Sequence, residues 1–480
     1  MHQPYLKSNL VALATKVLAT AFAGIALALT VDALIGVPAA NAAQPPKNII
    51  IMFADGAAPT QWDFGRYSSR VLRGQPFVTT DIVFQQGTLG MLSTHPSNGY
   101  VTDSAAAGSA MSTGHKVNNG AVAVTPDGKP VATVMELAKA RGRRIGLVTT
   151  ATVYDATPAA FSLHAKLRWQ YQALVDQYLA LEPDVLMGGG ADYFLPKGAP
   201  GSKRNDGKDM IAAFRAKGYQ VMRNTAELNA ATGPKVLGLF ADADMDFELD
   251  RDLARQPATA EMTAAALNAL SQASPNGFVL LIENENIDTA GHANDAASLM
   301  RALWAFDDAV RVALDFQRRS PDTLLIVTSD HESGGFSPTE ALRDLSKVSW
   351  ENRFNPGEEQ LRLLGRITMS FNAVREKLGG RPSGEALDEL LARHFRGFKL
   401  DPDLRELILK QQTREHNFTY LPHNLLGRMV ARQTGYYWGT SGHTTQPVLV
   451  GAIGPGAELF RGYQDNTDFG KHLHRLIQGK

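Results

Sequence analysis

The chain has 480 residues, 44% of them hydrophobic and 20% charged, which is enough for one large α/β domain or two smaller ones. Its 48 basic and 48 acidic residues cancel, which removes the electrostatic case for a nucleic acid or an anionic membrane as main partner and favours small-molecule chemistry. With no cysteine, disulfides, thiolate nucleophiles and thiolate ligands are all excluded, so a reactive site must be built from Asp, Glu, His, Ser and Thr.

In chain order, Lys7 and Lys16 precede an apolar run from Val17 to Leu29, and Ala40-Asn41-Ala42 supplies an A-x-A cleavage site. Residues 1–42 read as an export signal rather than a membrane span, because the run is short for a bilayer and Asp32 interrupts its continuation. The expected location is exported, periplasmic or secreted, with no stable span once the signal is removed. After the Pro-containing segment Gln44 to Lys47, nearly continuous apolar runs at Asn48 to Phe53, Ile145 to Thr150, Phe278 to Ile282, Thr323 to Thr328 and Pro447 to Ile453 alternate with turns and helical patterns. Strands of that kind are buried on both faces, so residues 43–480 are expected to fold as a three-layer α/β/α sandwich around a large, mainly parallel sheet. Between about 337 and 432 the texture turns helical, with Leu387, Leu390, Leu391 and Phe395 following a capping Ser383, and this stretch reads as an insertion.

Chemistry-bearing residues fall where these strands end. Asp55, Thr157, Glu283, Asp288 and Asp330-His331 follow four of the runs, His292 lies four residues after Asp288, and His443 precedes the last run. The C-terminal edge of an open α/β sheet is where ligands bind, so distant segments are expected to converge there. Carboxylates packed together repel one another unless cations neutralise them, which implies metal. Imidazole-containing positions suit zinc and an all-oxygen set suits magnesium. Ser104 stands before the alanine-rich stretch Ala105-Ala106-Ala107 and is expected at a helix N-terminus, either as a cap or as a nucleophile at an anion site.

Asp103-Ser104-Ala105-Ala106, together with Asp55-Gly56, Asp155-Ala156-Thr157-Pro158-Ala159-Ala160, Glu283, Ile287-Asp288, Asp330-His331 and Gly442-His443-Thr444, resembles the alkaline phosphatase family in order and approximate spacing. The resemblance runs from about Asn48 to the C-terminus and weakens in the helical insertion. It implies two zinc ions and one magnesium ion. Asp288, His292 and His443 would hold the first zinc; Asp55, Asp330 and His331 would hold the second, with Ser104 facing it; Asp55, Thr157 and Glu283 would hold magnesium. Arg168 would grip two phosphate oxygens. The implied reaction is hydrolysis of phosphate monoesters through a covalent phosphoserine on Ser104, with overall retention at phosphorus, and the resemblance admits a homodimer.

Two departures stand out. Glu283-Asn284-Glu285-Asn286 offers Glu285 as a second candidate for magnesium, and Thr289 occupies a position that varies between Lys and His in the family. His115, His394, His416, His423, His472 and His474 are read as surface or packing residues, and His164 as support for Arg168. A sulfatase would need a C/S-x-P-x-R motif, which is missing. A phosphodiesterase with a similar two-metal core and an exported phosphate-binding protein are the remaining alternatives; the third metal set and Arg168 argue against the first, and the retained Ser104 against the second.

Overall fold

The computed structural model describes residues 45–479 apart from 273, 345, 381 and 414–419; the export signal read in residues 1–42 and His416 lie outside them. Among the described residues, ten strands share one sheet: β1 (Asn48–Ala54), β2 (Thr88–Ser93), β3 (Arg144–Thr152), β4 (Val185–Gly189), β5 (Gln220–Met222), β6 (Val236–Leu239), β7 (Phe278–Asn284), β8 (Thr323–Thr328), β9 (Val448–Ile453) and β10 (Gly462–Asp465). The spatial order is β10-β2-β9-β8-β1-β7-β3-β4-β6-β5. Every neighbouring pair is parallel except the two that β9 makes, with β2 and with β8.

Strand β1 shows why the apolar content is continuous. Ile50 and Met52 join one buried cluster, whereas Ile49, Ile51 and Phe53 join the other. Alternate side chains of a strand point to opposite faces, so a strand covered on both sides needs apolar residues at both parities. Helices supply the covers. Helix α1 (Ser104–Thr113) contributes Ala105 and Met111 to the second cluster, and the long helix α4 (Ala296–Arg319) contributes Met300, Leu303 and Phe306 to the first. Two shorter helices follow strands directly: α2 (Ala156–Ala160) after β3 and α3 (Asn286–Ala293) after β7. This is the three-layer α/β/α architecture.

Between β8 and β9 the chain leaves the sheet. Glu358–Leu364, Phe371–Leu378, Gly384–His394, Pro402–Lys410 and α5 (His423–Thr434) are helical, and Ser383 caps its helix by accepting from the Ala386 N–H. At the base of this excursion Phe336–Pro338 pairs antiparallel with Tyr436–Trp438, and nearer the sheet Glu332–Ser333 pairs with His443–Thr444. The departing and returning chains are thus fastened together twice.

Candidate active site

Strands β8, β1, β7 and β3 are consecutive neighbours running in one direction, so their C-terminal ends stand side by side. From them emerge Asp330-His331, Asp55, Glu283 and, through α2, Thr157. Glu283 lies within β7, opposite Phe53 of β1, rather than beyond the strand. The next turn of chain, α3, presents Asp288 and His292 one helical turn apart on one face. His443 arrives on its two-residue ribbon, which pairs it with Ser333. Gly56, at φ +80°, allows the β1 turn to press against α3: a Cβ there would come within 2.8 Å of Asp288 Cα.

Two clusters result. In one, the ligand atoms of Asp288, His292 and His443 lie within 4.8 Å of one another; in the other, those of Asp55, Asp330 and His331 do. The clusters touch, with the His331 and His443 rings stacked at 3.6 Å between centroids. In the first, His292 Nδ1 donates to Ser441 O at 2.7 Å and His443 Nδ1 donates to Thr102 O at 2.8 Å. A carbonyl only accepts, so each Nε2 is left for another partner. Those two Nε2 atoms face each other at 3.1 Å, with Asp288 Oδ2 3.1 Å from the His292 Nε2. Acceptors converge on one point, and only a cation or a proton reconciles them. Burial disfavours the His292 imidazolium, but Asp288 outweighs it and raises the pKa to about 9.

The second cluster lies deeper. His331 Nε2 is 3.2 Å from Asp330 Oδ2 and 3.5 Å from Asp55 Oδ1, without hydrogen-bond geometry to either. Asp55 Oδ1, Asp330 Oδ2, Glu283 Oε1 and Thr157 Oγ1 are all buried and have no hydrogen-bond partner. Leaving such atoms bare is costly, so this donor set fits cations. Burial, with the charges of Asp330, Asp288 and Glu283, pushes Asp55 well above the usual carboxylate range. Burial likewise raises Asp330 to about 7, and raises Glu283 to about 8 with the Asp155 and Asp330 charges adding to it. His331 goes the other way, held low by burial and by His443.

Ser104 is the first residue of α1, and Asp103 rather than Ser104 is the cap, accepting from the Ala106 N–H at 2.9 Å. Ser104 is buried, with Oγ 3.1 Å from His331 Nε2. Arg168 donates to Asp155 at 3.0 Å and to Asp103 at 3.4 Å, and its backbone N–H donates to Gly120 O at 2.7 Å. The guanidinium is thereby tethered beside the N-terminus of α1. Glu285 sits at the start of α3, where it accepts from the Thr289 hydroxyl, and it borders a cavity of about 310 Å³ that Asp250 and Arg375 also line.

Sequence reasoning passed over the residues that hold these candidate ligands in place. Ser333 Oγ donates to Asp288, and Thr149 Oγ1 donates to Glu283 Oε2 at 2.6 Å. Thr150 Oγ1 accepts from the Glu285 N–H at 2.9 Å. The Thr149-Thr150 pair at the end of an apolar run was a usable signal; Ser333 and Ser441 carried none. His164 bonds Glu136 and Ala123 O and makes no hydrogen bond to Arg168. His423 is fully buried, a packing residue.

Comparison with known proteins gives a consistent answer. The family model described as alkaline phosphatase matches residues 46–478. The chain is similar to the repressible alkaline phosphatase of Saccharomyces cerevisiae, at 32% identity over 91% of this chain and 82% of that protein. It is similar also to alkaline phosphatase 3 of Bacillus subtilis, at 30% over 90% and 89%. Among solved structures, the alkaline phosphatase of Thermus thermophilus superposes with a TM-score of 0.83 at 30% identity, covering 92% of this chain and 93% of that one. A variant of the enzyme from the Antarctic bacterium TAB5, 25% identical with a TM-score of 0.63 over 91% of this chain and 99% of that one, was solved with Mg bound in its M3 site.

Proposed function

Since this chain belongs to the alkaline phosphatase family, we propose that it hydrolyses phosphate monoesters to an alcohol and inorganic phosphate through a phosphoserine on Ser104. The observation that carries this reading is the buried Ser104 Oγ, 3.1 Å from His331 Nε2 at the start of a helix and beside carboxylates whose buried oxygens have no hydrogen-bond partner. Asp288, His292 and His443 would hold one zinc; Asp55, Asp330 and His331 a second, with Ser104 facing it; Asp55, Thr157 and Glu283 a magnesium. Such cations supply positive charge that stabilises the attacking and departing oxygens of an in-line displacement.

The chain's own groups do the rest. The N-terminus of α1 offers its dipole to the phosphoryl group, and Arg168, tethered by Asp103 and Asp155, presents its planar fork to two phosphate oxygens. Ser104 Oγ bonds to phosphorus as the bond to the alcohol oxygen breaks. Water then hydrolyses the phosphoserine, and two inversions give net retention. On the same reading residues 43–480 are the catalytic domain and residues 1–42 direct export, so the reaction takes place in the periplasm or the medium.

The test compares p-nitrophenyl phosphate with the bis-ester in wild type and Ser104→Ala, with zinc and magnesium supplied. Monoester turnover that falls by about 10³-fold or more in the variant supports the phosphoserine. Equal or faster bis-ester turnover would replace this reading by a phosphodiesterase, and an unchanged variant would remove Ser104 as nucleophile.

A further inference from the structure

We propose that Tyr420, carried by the helical excursion, is a specificity-determining residue that stacks on the organic moiety of the substrate and makes the enzyme favour aromatic over small aliphatic alcohols. This rests on the monoester reading above. The Tyr420 ring lies parallel to the His292 imidazole, 5.5 Å between centroids at 17°. It is nonetheless 42% exposed, beside a cluster in which Asp288 is buried and His292 and His443 are half-buried.

Holding His292 in place does not account for it. The Ser441 carbonyl already fixes that imidazole through Nδ1 at 2.7 Å. Nor is Tyr420 a loosely placed surface residue. Its carbonyl accepts from the Asn424 N–H at 3.0 Å, and the buried His423 meets its ring edge-on. Helix α5, which follows, packs so closely on the end of α3 that a Cβ on Gly427 would lie 2.9 Å from Asn294 Cβ. Asn294 is the residue that ends α3, two positions after His292. Packing therefore sets Tyr420 over the site and leaves part of its ring open.

Reaction geometry says what meets that surface. Ser104 stands beside the Asp55–Asp330–His331 cluster. In-line displacement places the leaving oxygen opposite the nucleophile, toward the Asp288–His292–His443 cluster. The alcohol attached to that oxygen extends outward from there, past the ring stacked on His292. The segment that supplies the Thr102 carbonyl to His443 also carries Tyr100 and Val101, both exposed. The Tyr420 ring thus adjoins this cluster, whereas Arg168 is held by Asp103 and Asp155 at the N-terminus of α1.

The experiment measures kcat/KM for phenyl phosphate and for methyl phosphate in the metal-loaded wild type, Tyr420→Ala and Tyr420→Phe, each substrate referred to its own wild-type value. Tyr420→Ala should lose about fivefold on phenyl phosphate with less than about twofold on methyl phosphate, and Tyr420→Phe should retain both. An equal loss on the two substrates would make Tyr420 a support for His292, and no loss on either would make it inert; both results overturn the proposal alone. A wild type that turns over neither monoester overturns the underlying monoester reading as well.

Discussion

Hydrogen-bond saturation separates two kinds of buried carboxylate in this protein. Glu332 is fully buried, yet both its oxygens are supplied: Gln61 Nε2 and the Phe336 N–H donate to one, Thr444 Oγ1 and the Gly335 N–H to the other. It fastens a ribbon. Asp55, Asp330 and Glu283 keep bare oxygens and raised pKa values, the mark of groups arranged for a partner other than a side chain. These residues are legible because they follow apolar runs, but Glu283 is favoured over Glu285 only by the five-residue step to Asp288 that the family resemblance implies. In the fold both keep a bare oxygen, with Thr149 donating to Glu283 and Thr289, one helical turn on, to Glu285. Glu283, however, stands on β7 beside the end of β1, whereas Glu285 borders the separate cavity with Asp250 and Arg375. We expect Glu283→Gln to weaken magnesium activation by about 10- to 100-fold and Glu285→Gln to change it by less than about threefold, measured by magnesium titration of activity. The reverse order would move the magnesium assignment to Glu285. Ser333 and Ser441 were illegible for a related reason: serines are common, and only folding brings these two against Asp288 and His292.

At the scale of elements, the central strands were readable because burial on both faces demands long apolar runs, as in β1, β7 and β8. The flanking strands β5, β6 and β10 are three or four residues long, too short to show a period. The direction of β9 was not legible, since parallel and antiparallel strands of one buried sheet share a composition. Contacts between elements are carried by single residues of high consequence. Asp295 caps α4 through the Ala297 and Ser298 N–H groups and, with its other oxygen, accepts from the Phe371 N–H of the excursion at 2.9 Å. Asp295→Ala leaves those buried donors without a partner, and a loss of about 3 kcal/mol is expected from denaturant unfolding. A loss below about 1 kcal/mol would show that the excursion is held elsewhere.

For the whole molecule, the bare carboxylates make stability depend on pH and metal together. Glu283, at about 8, and Asp330, at about 7, keep protons in the folded state that the unfolded chain releases near the ordinary carboxylate values of 4.5 and 3.8. At these two groups the folded state then binds more protons, so their contribution to the stability of the chelated protein falls as pH rises through that interval. Bound cations replace those protons. Thermal scans with chelator should therefore show a Tm that declines between pH 5 and pH 8, and scans with zinc and magnesium a much flatter profile; a chelated protein whose Tm rises across that range would contradict the sign. The paired ends of the excursion have a different consequence. Phe336 sits opposite Trp438 and Ser333 opposite His443, so strand pairing at the base of the excursion sets the position of His443. Exchanges on the exposed faces of the excursion leave that pairing intact, whereas loss of the excursion would strip the contacts of Phe371 with Asp295 and of Gly427 with Asn294, so divergence there is confined to side chains that do not pack on α3 and α4.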